Sequence, residues 1–149
     1  MKKYVFAGLA LGACLASPTF ALEHEVVIDH EDGPIAADYK GSVTIETTQV
    51  GTAGPAGRPN TLRCNWTATL NVDRIAKVGE TLRSRRTLTS DDVVSGSRPG
   101  WCETHAKAID RLVDSRRDNI RTAMLALIDQ DRAELLAEAE GAQNSRRGV

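Results

Sequence analysis

Eleven residues from Arg63 to Asp73 alternate without a fault. Cys64, Trp66, Ala68, Leu70 and Val72 fall on one side, and Arg63, Asn65, Thr67, Thr69, Asn71 and Asp73 on the other. A period of two with one dry side is the pattern of an antiparallel strand that covers a core on one face and meets water on the other. A chain holding such a strand must supply neighbours for its edges and a second layer for its apolar face.

The neighbours are legible on both sides. Val26 and Ile28 share a side within Glu25 to Asp29, and Asp32-Gly33-Pro34 marks a turn. Tyr39, Gly41, Val43, Ile45 and Thr47 then alternate with Lys40, Ser42, Thr44 and Glu46. The stretch 51–60, rich in Gly and Pro, is expected as a loop. After a turn around Gly79, Thr81 to Thr89 is a fourth strand with Leu82 and Leu88 inward, which also sends Arg86 inward. Gly96 to Gly100 is expected as a second loop.

The second layer comes from 102–140, which has no Pro or Gly. At 100° per residue, Cys102, Ala106, Ile109, Leu112, Val113, Ile120, Ala123, Met124, Leu127 and Ile128 form one apolar stripe. It is interrupted by Arg116. Its 27 residues measure about 40 Å at ~1.5 Å per residue, the length of strands of about 12 residues at ~3.3 Å each. Past Ile128 the phase fails: Asp131 lands in mid-stripe, while Leu135 and Leu136 rotate away. The expected fold is α+β, a meander of about four antiparallel strands packed by one long C-terminal helix.

Cys64 lies on the apolar side of the best strand and Cys102 on the apolar stripe of the helix, placements that come from two independent periodicities. A Cys64–Cys102 disulfide follows, with Trp66 and Trp101 expected to pack over it. It requires an oxidising compartment. The N-terminus agrees: Lys2 and Lys3 precede an uncharged run from Tyr4 to Ala16, and Ser17-Pro18-Thr19-Phe20-Ala21 ends on a small residue. That is the layout of a secretory signal of bacterial type cut after Ala21. Residues 1–21 are then the signal, 22–140 one domain and 141–149 a flexible tail. The alternative is a lipoprotein cut within Leu11-Gly12-Ala13-Cys14 and acylated on Cys14, the only route by which this chain is expected to hold a membrane. That cut would leave Leu15 to Leu22 as an apolar stub.

Without residues 1–21 the chain has 17 basic and 20 acidic side chains, a net charge of −3. This balance gives no general attraction to nucleic acid. The charge is polarised, at −6 over 22–50, +5 over 51–121 and −2 beyond. Beyond residue 21 the only Phe, Tyr or Trp residues are Tyr39, Trp66 and Trp101, too few for a stacking platform that binds sugar.

Candidate chemistry is sparse. His24 and His30 on one strand stand about 20 Å apart at ~3.3 Å per residue, too far to share an ion. Asp29, Glu31 and Asp32 lack the spacing of a calcium loop. His105 has no nucleophile signature beside it and suits a packing or capping role. Arg83 and Arg85 on a strand, with Arg117 and Arg121 one helical turn apart, form an anion-binding set if they meet in space. Leu135 and Leu136, on a helix end running past the sheet, are candidates for a partner surface. No catalytic set, cofactor motif or metal site is expected. The reading is a non-enzymatic exported domain that binds a protein or envelope component, or alternatively a small anion or lipid through the arginines.

Overall fold

The computed structural model describes residues 22–31, 33–78 and 82–148. The signal-type segment with Cys14, Asp32 of the acidic turn, and the turn around Gly79 lie outside the described residues. Four strands, β1 (Leu22–Ile28), β2 (Ile35–Val50), β3 (Arg63–Val78) and β4 (Leu82–Pro99), form one antiparallel sheet in the order β1-β2-β3-β4. Two helices, α1 (Cys102–Ser115) and α2 (Arg117–Arg147), cover one face. The α+β meander is as expected, but the strands are longer.

β3 carries the alternation five residues past Asp73, and Arg74, Ala76 and Val78 join its buried side. β4 absorbs all but Gly100 of the expected 96–100 loop as strand. It keeps its pairing by a bulge: Ser90 faces Leu70 and Val94 faces Ala68, so three residues of β4 stand against the single Thr69. Asp92 takes the left-handed conformation there (φ 51°), which Asp tolerates better than bulkier residues. Beyond the bulge, Gly96 pairs with Trp66, whose indole lies against it. A Cβ at Gly96 would stand 2.7 Å from Trp66 Cζ2. Gly96→Ala is therefore expected to cost about 1–3 kcal/mol as an overpacking change. Urea unfolding checks this, and an unchanged midpoint would contradict the contact.

The apolar stripe holds except at Ala106, which is exposed, with Ile109, Val113, Ile120, Met124 and Ile128 buried against Leu70, Val72 and their neighbours. The helix is not continuous. Ser115 donates its hydroxyl back to Leu112 O at 2.6 Å, and Arg116 leaves helical geometry (φ −95°, ψ 22°). Hydroxyl back-bonding of this kind bends helices. Arg116 sits exposed at the break, so it does not interrupt the stripe as the sequence suggested.

Past Ile128 the helix stays on the sheet. Leu135 and Ala139 are buried in the same core, and helix continues through Gly141 to Arg147, where a loose tail was expected.

The disulfide Cys64–Cys102 is formed, with Cα atoms 4.8 Å apart. Trp66 is buried, whereas Trp101 is 54% exposed. Beside the bridge, Gln49 ties three segments together. Its Nε2 donates to Arg63 O and Gly100 O, both at 3.1 Å, and its Oε1 accepts from the Cys102 N–H at 2.7 Å. This caps the first turn of α1, whose own N-cap residue Trp101 has no side chain able to accept.

Candidate functional site

The two anomalies of the sequence, an inward Arg86 and a mid-stripe Asp131, meet. The strand register places Tyr39, Arg74 and Arg86 in one row across β2, β3 and β4, on the helix side. Asp131, Glu134 and Glu138 of α2 are spaced three and four apart, so they share a helix face above that row. Asp131 Oδ2 accepts from Tyr39 Oη at 3.0 Å and from Arg74 Nη1 at 2.8 Å. Arg74 Nη2 donates to both Glu138 oxygens, at 2.9 and 2.8 Å, and to Ser84 Oγ at 2.8 Å. Ser84 in turn donates to Glu138 at 2.5 Å. Arg86 closes the row at 3.2 Å from Glu134 and 3.7 Å from Asp131 Oδ1. The side chains of Arg74 and Asp131 have no solvent exposure.

Two like charges opposite each other on a sheet repel, so the pair Arg74 and Arg86 needs the acids of α2. The row therefore fixes where α2 lies along the sheet. Burial pushes the Tyr39 hydroxyl well above its ordinary range, and its hydrogen bond to Asp131 pushes it the same way.

For Glu138, burial raises the pKa. The hydrogen bonds from Ser84 and Arg74 and the attraction of both arginines outweigh it and hold the carboxyl below its ordinary 4.5. A folded-state pKa below the unfolded one means that Glu138 contributes stability in full above about pH 4.5 and loses it as the pH falls through the lower value. Glu138→Gln is expected to flatten the fall in urea midpoint between about pH 5 and pH 3. A slope unchanged from wild type would contradict this.

With the helix side filled, the open face of the sheet offers a groove of about 930 Å³. Its side chains alternate with those of the buried row. β1 and β2 give Glu23, Glu25, Asp38 and Lys40, β3 gives Asp73 and Ile75, and β4 gives Arg85 and Thr87. Glu23 pairs with Lys40 at 3.7 Å, and Thr87 donates to Asp73 at 2.8 Å. The next row runs Glu25, Asp38, Ile75, Arg85. Glu25 and Asp38 stand directly opposite, a destabilising like-charge placement, and neither they nor Arg85 form an ion pair among the described residues. The groove thus has an acidic wall, an apolar floor at Ile75 (38% exposed) and a basic wall. At ~4.8 Å per strand the walls of this row stand about 14 Å apart. A narrower cleft of about 170 Å³ lies between β1 and α2, beside His24 and Leu125.

The other residues singled out from sequence fall as follows. Arg83 and Arg85 lie on the open face, whereas Arg117 and Arg121 are exposed on α2 across the sheet, so the four do not converge. Arg117 pairs with Asp114 at 3.2 Å. Leu135 is fully buried and Leu136 partly so against the same core, so a partner surface there would have to take them from that core. His105 faces Pro99 O at 2.8 Å, in a packing role. No group of three metal-ligating side chains converges among the described residues.

The sequence reading missed Arg74 and Gln49. Extending the alternation past Asp73 puts Arg74 inward, opposite a buried acid, which was the available signal. Gln49 had none, since its role depends on three chain segments meeting.

No protein family matches the chain, and no curated protein or solved structure is significantly similar to it. The disulfide is compatible with an oxidising compartment, and no described helix is long and apolar enough to cross a membrane.

Proposed function

We propose that this chain is a non-enzymatic binding domain exported from a bacterial cell by its N-terminal signal, with the open face of its sheet as the working surface. The observation that carries this reading is the row Glu25, Asp38, Ile75, Arg85. Its charges form no ion pair among the described residues and are segregated on opposite walls of a groove. Such a groove complements a ligand with a cationic and an anionic end joined by an apolar stem, the chemistry of a peptide segment of an envelope protein or polymer. The electrostatic polarity noted in the sequence has its local counterpart here.

A blocked Lys-Ala-Ala-Ala-Glu peptide spans about 13 Å between two side chains on the same side when extended, close to the width of the groove. Calorimetric titration is expected to show binding that weakens about fivefold in Arg85→Glu. Peptides carrying only the Lys or only the Glu should also bind more weakly. Equal binding of all three peptides, or indifference to Arg85→Glu, would reject the groove.

The second reading, a small-anion or lipid site, is favoured only by the adjacency of Arg83 and Arg85 on one strand face. Binding of inorganic phosphate or a fatty acid without the dipolar peptide would select it. Acylation at Cys14 is the alternative mode of export, and an intact mass of the native protein separates it from cleavage after Ala21.

A further inference from the structure

β1 is shorter than the strand it borders. It pairs with β2 from Ile35 to Gly41, while β2 continues to Val50 and pairs with β3 throughout. The outer edge of β2 from Ser42 to Val50 therefore has no strand against it among the described residues. The other two edges are guarded. The outer edge belonging to β4 carries Arg83, Arg85 and Arg86 and is broken by the bulge at Asp92. That of β1 is seven residues long with Glu23 and Glu25 on it. The stretch 42–50 has no proline, six β-branched residues and one charge, Glu46. A long edge of high β propensity without bulge or lysine is a template for strand addition, and soluble proteins ordinarily blunt such edges.

We propose that this edge accepts an extended segment of a partner protein as a fifth strand, antiparallel to β2 and in line with β1, with a Lys or Arg opposite Glu46. The site is separate from the groove and does not depend on it. The chemistry of the added strand follows from the faces of β2. Val43 and Ile45 lie on the helix side, partly buried against the core, and ask for apolar residues opposite them. Thr44, Glu46 and Thr48 lie on the open side and ask for polar ones.

A second copy of this chain fits poorly. Leu22 already stands opposite Gly41, so no incoming strand extends past Ser42. Using the whole edge then pairs Ser42 with Val50 of the copy and sets Glu46 against its own image, a like-charge clash. The charge that repels a copy is the one that selects a basic partner.

The probe is the nonapeptide Thr-Val-Thr-Val-Lys-Val-Thr-Val-Thr and a twin with Glu at the centre, added to the chain beginning at Leu22. Amide hydrogen exchange is expected to slow over 42–50 with the Lys peptide. The Glu twin should bind about fivefold more weakly. Glu46→Lys, an exposed substitution, should invert that preference. Protection elsewhere in the sheet, no protection at millimolar peptide, or a preference untouched by Glu46→Lys would each overturn the proposal. So would protection of 42–50 that grows with protein concentration in the absence of peptide, which would identify a second copy as the occupant.

Discussion

Arg74→Met is expected to destabilise the protein by about 3–5 kcal/mol, the cost of leaving a buried charge without its partner. The guanidinium fills four hydrogen bonds with Asp131, Glu138 and Ser84. Its loss leaves the Asp131 carboxylate, whose side chain has no exposure, without its directly bonded guanidinium and with Arg86, 3.7 Å from Oδ1, as a more distant cation. Tyr39 alone would still donate to it. Replacing both members, as Arg74→Met with Asp131→Leu, should recover most of the loss, because a pair of apolar side chains of similar size removes the desolvation cost along with the attraction. Urea unfolding of the two single variants and the double one measures this. A double variant no more stable than Arg74→Met would mean that the row is not a coupled unit.

Loss of the disulfide is the other large effect. Cys64→Ala with Cys102→Ala is expected to cost roughly 4 kcal/mol in the chain-entropy account, for a bridge joining residues 38 apart in sequence. Cys64 and Arg74 are ten residues apart on β3, about 33 Å, and share no partner. The two losses should therefore add within about 0.5 kcal/mol. Unfolding of the bridge variant with and without Arg74→Met tests this. A clear shortfall from additivity would show that α1 and α2 are not fastened independently at the two ends of the sheet.

Much of this architecture was legible because two periodicities, of two and 3.6 residues, report directly which side chains leave water. They place Cys64 and Cys102 on facing layers, and the bridge follows from that placement. They misled where a charge occupied an inward position. Asp131 was read as the point where α2 leaves the sheet, although helix and sheet stay packed beyond it at Leu135 and Ala139. A buried acid looks like an error in a pattern until its partner is found, and the partner here lies on another element 57 residues away. Arg86 was a matching irregularity, and two inward charges of opposite sign argue for each other. The bulge at Asp92 was hidden for a different reason. It shifts the register of β4, so Ser95, Gly96 and Ser97 no longer keep the phase of Thr81 to Thr89. The groove is out of reach from sequence, because it depends on four strands lying in register, and of its key row only Arg85 stands out as a candidate site residue.

The proposed function requires that α1 and α2 seal one face of this sheet while the other face binds ligand. An NMR titration of the 22–149 chain with blocked Lys-Ala-Ala-Ala-Glu tests it most directly, residue by residue. Amide shifts are expected to concentrate at Glu25, Asp38, Ile75 and Arg85, with α1 and α2 unmoved. Shifts confined to the helices or to the cleft beside Leu125, or none at millimolar peptide, would contradict it.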